Sequence, residues 1–277
     1  MRFTKMHGAG NDFIIINNII ERIPEYKMGA LAKKLCERRT SLGADGFMAV
    51  DNPSNGGDFK MRFYNSDGSL GEMCGNGARC IARYGYENDL AGNVQKIETT
   101  AGMVIGYRLD TRKYKVKLND ISRMDLDLDI DVDGKKYTVS YVELGNPGIP
   151  HAVVYIEGLA DADRDELFEL GRKLRYHKHF EKGANVNFYD IVGEDQVVEL
   201  TYERGVEDFT LACGTGTGSV VSVLTQQRKV SGNDVKVSVP GGELMIDIIK
   251  DGKDIKDIFL IGPTNIVAEG EILDEDL

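Results

Sequence analysis

The 277-residue chain has no tryptophan, only six prolines and four histidines, and too few basic residues to balance its acids. Lys and Arg number 34 against 45 Asp and Glu, a formal net charge of −11. A general binder of phosphate backbones needs the opposite balance, so nucleic acid is excluded as a partner class. No apolar run approaches the roughly 18 residues of a membrane-spanning helix, so no membrane partner is expected. The opening MRFTKMHGAGNDFIIIN meets polar residues too early for a signal-peptide core. Cysteine is scarce: Cys36, Cys74, Cys80 and Cys213. Without a secretion signal they read as free thiols in a reducing compartment, and a cytoplasmic location is expected. The basic stretch RKLRYHKHFEK at 172–182 has no reading module around it and reads as a solvated helix end. Its His177 and His179 lack cysteine or carboxylate partners at zinc-ligand spacing, so no metal is expected. GTGTGS at 214–219 is not followed by the Gly-Lys-Ser/Thr of a phosphate loop, and no serine-centred nucleophile elbow is present.

What is present is a chain long enough for one or two domains with an ample core, 42% apolar and rich in glycine at 32 residues. Alternating segments predict strands at 114–118, 137–142, 235–239 and 245–249. Residues 28–39 predict a helix with Leu31, Leu35 and Cys36 together. Residues 164–176 predict another, with Leu167, Leu170 and Leu174 on one face and Asp163 and Glu166 as a capping pair. Many strands with few helices, not strictly alternating, indicate an α+β fold. The run DLDLDIDVDG at 125–134 has the aspartates of a calcium loop but places Ser140 where the bidentate Glu belongs. Its alternation followed by Asp-Gly reads instead as one arm of a hairpin with an acidic solvent face.

The most informative feature is an internal repeat. CGNGARCIARY begins at Cys74 and CGTGTGSVVSVL at Cys213. Cys74 lies ten residues after Tyr64 of YNSDGS, and Cys213 eleven after Tyr202 of YERGVED. Each is followed by a helix-compatible stretch and then by a strand ending in small residues. Cys74 to Gly102 and Cys213 to Gly241 are both 28 positions. A period of about 139 residues far exceeds solenoid units of roughly 20–50. The reading is two similar domains, 1–117 plus 263–277 and 118–262, with the final strand near 264–272 returning to the first.

Each cysteine sits in a Cys-Gly-x-Gly turn before a helix. The glycines permit a tight turn, and the unpaired amides of a helix start attract anions and lower a thiol's pKa. Such a cysteine is a base or nucleophile at neutral pH, and the neighbouring amides can hold a carboxylate. One such turn is equally well a glycine-rich structural turn over a buried thiol. Two of them at matching repeat positions point to a thiolate and a thiol flanking one amino acid, exchanging its α-proton with inversion. No cofactor is then needed. Cys36 and Cys80 read as core thiols. A Cys74–Cys213 disulfide formed on oxidation would block such a site.

The sequence resembles the diaminopimelate epimerase family, through MHGAGNDF at 6–13, LGADG at 42–46, YNSDGS at 64–69, MCGNGARC at 73–80, NVNF at 185–188, YERG at 202–205 and ACGTGTG at 212–218. The resemblance implies two pseudo-symmetric domains, each a strongly curved sheet wrapped around a central helix, with the active site in the cleft. It implies cofactor-independent interconversion of LL- and meso-diaminopimelate, and a homodimer. Cys74 and Cys213 match the catalytic bases. Gly75, Asn76, Gly214 and Thr215 match the donors to the α-carboxylate. Asn11, Asn65, Asn185 and Arg204 match residues holding the substrate, and Glu203 matches the family's acidic partner. Asn146 and His151 match a Gly-Asn-Pro-His stretch that here reads GNPGIPH, with Gly148, Ile149 and Pro150 intervening. GVEDFTLAC before Cys213 is also one residue longer than the family form. Both departures fall near residues implied to read the distal end of the substrate. The same chemistry on histidine or another amino acid therefore stays open, as does a non-catalytic amino-acid-binding clamshell. The related phenazine-type isomerases lack the cysteine pair.

Overall fold

The computed structural model describes residues 1–71 and 73–273. The chain divides into two compact units, one from Met1–Val116 with the residues from Gly262 onward, the other from Lys117–Ile261.

The first unit carries β1 (Arg2–Gly8), β2 (Asn11–Asn17), α1 (Asn18–Glu21), α2 (Glu25–Cys36), β3 (Gly46–Asp51), β4 (Phe59–Asn65), α3 (Gly75–Glu87), β5 (Val94–Thr99), β6 (Gly102–Arg108) and β7 (Lys113–Lys117). The second carries β8 (Ile121–Val132), β9 (Lys135–Leu144), β10 (Ile149–Tyr155), α4 (Arg164–Arg175), β11 (Asn185–Gly193), β12 (Gln196–Glu203), β13 (Asp208–Thr210), α5 (Gly214–Gln226), β14 (Val235–Val239), β15 (Gly242–Asp251) and β16 (Asp254–Pro263). The last strand, β17 (Asn265–Glu271), pairs antiparallel with β1 in the first unit.

The two units share one pairing scheme. In the first, β1–β2 is antiparallel, β2–β3 parallel, β3–β4 antiparallel, β4–β5 parallel, and β5–β6 and β6–β7 antiparallel. In the second, β9–β10, β10–β11, β11–β12, β12–β14, β14–β15 and β15–β16 repeat those senses in order. Strand β8 pairs with β9 as β17 does with β1. Parallel neighbours need a crossover. Helices α2 and α4 fill the first crossover of each unit, and α3 and α5 the second. The fold is α+β.

Helix α3 buries ten of its 13 residues and α5 buries twelve of 13, so neither has a solvent face. Helix α3 packs on β1, β2 and β6, and α5 on β9, β10, β11 and β15. One helix touches strands that are not neighbours, so each sheet is curved around its helix. Glycine occupies the third helical position of both helices. A Cβ at Gly77 would strike Met48, and one at Gly216 would strike Asn187. The outer faces are closed by amphipathic helices. Met28, Ala32, Leu35 and Cys36 of α2 pack with Ile14, Ile16 and Phe47. Leu167 and Leu174 of α4 pack with Val186, Phe188 and Tyr202, with Leu170 at the margin.

Some local expectations shift. Helix α2 runs 25–36 rather than 28–39. Pro24 starts it without needing an amide, and Leu35 and Cys36 give their carbonyls to the amides of Gly43 and Ala44 instead of to further turns. Asp163 caps α4 by accepting from the amides of Asp165 and Glu166. The 125–134 run is a hairpin arm, turning at Asp133 and Gly134, both with positive φ, but its alternation is broken by a bulge between Asp125 and Leu128.

Candidate active site

In the first unit, Cys74 is the N-cap of α3, half-buried, with its sulfur 3.5 Å from the Gly77 amide and 3.4 Å from Asn11 Oδ1. The first helical bond is Ala78 N to Cys74 O, so the Gly75 and Asn76 amides precede the helical ladder. Asn11 begins β2. Its amide donates to Asp45 at 2.8 Å, turning its oxygen toward Cys74 and toward Asn76 Nδ2 at 3.5 Å. Asp45 is itself gripped by Arg38, which also holds Asp12. Arg79 is fully buried, bonding Asn76 Oδ1 at 3.0 Å and the Gly75 carbonyl at 3.4 Å. Burial pulls its pKa down to about 10, and the nearby Cys80 and Cys74 sulfurs favour its charge, so it stays cationic at neutral pH. Asn65 ends β4, exposed, bonding Ser69 within its own turn. Cys36 and Cys80 are buried, and burial pushes both thiols up to about 12. They are core thiols.

In the second unit, Cys213 is the N-cap of α5 and buried, with its sulfur 3.6 Å from the Thr215 hydroxyl. Thr217 N closes the first helical bond on Cys213 O, leaving the Gly214 and Thr215 amides ahead of the ladder. Burial, with Glu203 and Glu199, pushes this thiol well above its ordinary range. A helix start was expected to favour a thiolate. Here burial and the two glutamates outweigh the Thr215 and Gly216 hydrogen bonds that favour a thiolate, and Cys213 is held protonated.

Period two along the strands puts the remaining residues on the face toward α5. His151 pairs with Asn185 and Val153 with Asn187 across β10–β11, while Asn187 pairs with Thr201 and Tyr189 with Glu199 across β11–β12. His151 is fully buried. Desolvation and Arg204 hold its pKa down to about 3, so it is neutral. Its Nδ1 faces Asn187 Nδ2 at 3.3 Å, and its Nε2 is buried with no hydrogen-bond partner among the described residues. Asn185 bonds the Pro150 carbonyl at 3.2 Å and accepts from the Arg204 amide at 2.8 Å, so it fixes the main chain that presents Arg204. Arg204 Nη1 reaches the Lys182 carbonyl at 3.1 Å. Glu203, half-buried, is the next residue toward the end of β12.

Asn146 is exposed in the four-residue turn between β9 and β10, and Ile149 and Pro150 pair with Leu144 and Glu143. Of the residues separating Pro147 from His151, Gly148 closes the turn, and Ile149 and Pro150 are already strand. Sequence reading also missed Asp45, Arg79, Asn187, Glu199 and Thr217. Asp45 and Arg79 lie inside LGADG and MCGNGARC, and Asn187 and Glu199 keep the two-residue period of Asn185 and Glu203.

A sequence model of the diaminopimelate epimerase family matches residues 3–123 and 144–267. The chain belongs to the diaminopimelate epimerase family. The unmatched stretch 124–143 falls on the β8–β9 hairpin. The diaminopimelate epimerase of Aquifex aeolicus is 39% identical, covering 100% of this chain and 99% of its own. That of Hydrogenobaculum sp. is 36% identical, covering 98% of both. Among solved structures, a probable proline racemase from Agrobacterium radiobacter superposes with a TM-score of 0.73 at 15% identity, covering 99% of this chain and 93% of that one. At that identity the likeness is one of fold, so the diaminopimelate epimerase family shares its architecture with a protein named for a different amino acid.

Proposed function

We propose that this chain is a cofactor-independent isomerase that inverts one α-carbon of LL-diaminopimelate to give meso-diaminopimelate, a precursor step toward lysine and peptidoglycan. The observation that carries the reading is the repeated N-cap cysteine, Cys74 on α3 and Cys213 on α5, in a member of this family. The chemistry is a two-base exchange. The Cys74 thiolate takes the α-proton. Protonated Cys213 delivers its own proton to the opposite face of the carbanion, leaving Cys74 as thiol and Cys213 as thiolate. The reverse reaction exchanges the roles. Charge that builds on the α-carboxylate as the proton leaves is met by the amides of Gly75, Asn76, Gly214 and Thr215.

His151 suits a substrate oxygen. With Asn187 donating to Nδ1, the neutral ring carries its hydrogen on Nε2, the buried atom without a partner among the described residues. Arg204 and Glu203 suit the distal carboxylate and ammonium, Asn11 and Asn65 the substrate on the Cys74 side, and Asn185 acts by fixing Arg204. Residues 1–117 with 263–277, and 118–262, are the two catalytic halves. A cytoplasmic homodimer completes the reading.

The test is proton NMR in D2O with reduced protein free of pyridoxal phosphate, offered LL-diaminopimelate, L-histidine and other L-amino acids. Loss of the α-proton with appearance of meso product is expected on diaminopimelate alone. Cys74→Ala and Cys213→Ala should each lower the rate by more than about 10³-fold. Exchange on another amino acid only would move the substrate. No exchange on any would leave an amino-acid-binding protein.

A further inference from the structure

We propose that Glu199 is a positioning residue for Cys213: a buried carboxyl that acts through Thr217 on the Cys213 main chain and on the charge its thiol carries. The proposal rests on the reading of Cys213 as an acid–base group.

The repeat itself makes Glu199 unusual. Gly46 lies beside Phe13 as Asn185 lies beside His151, and the next cross-strand pair is Phe47–Tyr64 in one unit and Val186–Tyr202 in the other. Counting on, Met48–Phe63 corresponds to Asn187–Thr201, and Met61 corresponds to Glu199. The far ends agree, since Phe59 pairs with Ile97 as Val197 pairs with Val237. On the helices, Ala78 and Thr217 both lie four residues after the cysteine. The first unit fills this place with buried Met61 and Ala78, and the second with buried Glu199 and Thr217. The fold therefore does not require a carboxyl here. Both units place an N-cap cysteine in front of it, and only the second backs that cysteine with a carboxyl.

The hydrogen bonds reach Cys213 in one step. Thr217 Oγ1 donates to Glu199 at 2.6 Å and to the Cys213 carbonyl at 3.1 Å, and Thr201 lies 3.3 Å from the carboxyl's other oxygen. A threonine hydroxyl has one hydrogen, so these two bonds compete while Glu199 is ionised. A protonated Glu199 brings a hydrogen of its own and frees Thr217 for the Cys213 carbonyl. Burial pushes Glu199 up to about 8, against two hydroxyl bonds that favour its charge. Among the described residues, Cys213 on α5, Glu203 on β12, Tyr189 opposite it on β11 and His151 on β10 share its face. Tyr189 is pushed up to about 12 and His151 is held down, so both are neutral. An ionised Glu199 therefore adds negative charge near a thiol that burial already keeps protonated.

The test is the rate of iodoacetamide alkylation at each cysteine against pH, read by peptide mass spectrometry on reduced, folded protein. Glu199→Gln should alkylate Cys213 roughly five- to tenfold faster than the native protein at about pH 9, leaving Cys74 within about twofold. Glu199→Met, which copies Met61, should give the same profile and serves if the glutamine variant does not fold. In native protein carrying ¹³C-labelled glutamate, one carboxyl should titrate near pH 8, and that signal should be missing from Glu199→Gln. Superimposed Cys213 profiles in a folded variant, or no glutamate carboxyl titrating above about pH 6.5, would overturn the proposal. Alkylation needs no turnover, so failure of the epimerase reading shows separately, as activity that survives Cys213→Ala.

Discussion

Asn11 Oδ1 lies 3.4 Å from Cys74 Sγ because Asp45 accepts from the other end of the same amide at 2.8 Å. The carboxylate decides which way the amide points. An acceptor rather than a donor then faces the sulfur, while buried Arg79 supplies positive charge from within α3. The thiol at Cys74 is thus surrounded by groups of defined polarity on each side.

Replacing Asn11 by Asp removes the donor to Asp45 and sets two carboxylates near a developing thiolate. A carboxylate within about 4–6 Å raises such a pKa by roughly 1–3 units. Asn11→Asp should therefore slow Cys74 alkylation at neutral pH by at least about tenfold, with Cys213 unchanged. Peptide-resolved alkylation rates check this, and equal rates at Cys74 would show that Asn11 does not bear on the sulfur.

The two close-approach glycines should respond differently. Alanine in a helix interior gains about 1 kcal/mol over glycine. At Gly77 the added methyl meets the flexible end of Met48, which can move aside, so Gly77→Ala should be near neutral. At Gly216 it meets Asn187 Oδ1, which is tied to Thr201 at 3.1 Å, with the Asn187 amide bound to the Ala152 carbonyl. Gly216→Ala should lose about 1–3 kcal/mol, the ordinary cost of overpacking. Urea midpoints of the two variants give the comparison.

Stability should narrow at both ends of the pH range. His151 is held down to about 3 from 6.5, so unfolding takes up a proton and its contribution, present above 6.5, is lost as pH falls toward 3. Glu199 is raised to about 8 from 4.5, so its contribution, present below 4.5, is lost as pH rises through 8. Glu199→Gln should accordingly match the native protein near pH 5 and exceed it near pH 9, by an amount on the order of 1–3 kcal/mol. Denaturant midpoints at the two pH values measure this, and an equal difference at both would contradict it.

Much of this was legible in the residues themselves. The paired Cys-Gly-x-Gly turns identify both N-caps, since a cap followed by glycines and a helix-compatible run is a local signal. The strands at 137–142 and 235–239 follow from alternation, and Asp163 announces the start of α4. The repeat spacing anticipates two similar domains, and the family resemblance implied a curved sheet around a central helix in each. The reading stopped short where a residue's role depends on its neighbours across a sheet. Glu199 in VVELTYE looks like an exposed strand position, and only the β11–β12 register turns it inward beneath Thr217. The bonds of Asn185 to the Pro150 carbonyl and from the Arg204 amide likewise come from residues distant in the chain.

The sequence by itself determined where each thiol caps its helix, because capping needs only residues adjacent in the chain. It also carried the family, through motifs that run in order along the chain. Only the tertiary structure decided that Cys213 is held protonated and that His151 is neutral, with one buried nitrogen unpaired among the described residues. Those outcomes depend on desolvation and on partners brought in from other strands. Neither is a property of a residue or of its neighbours along the chain.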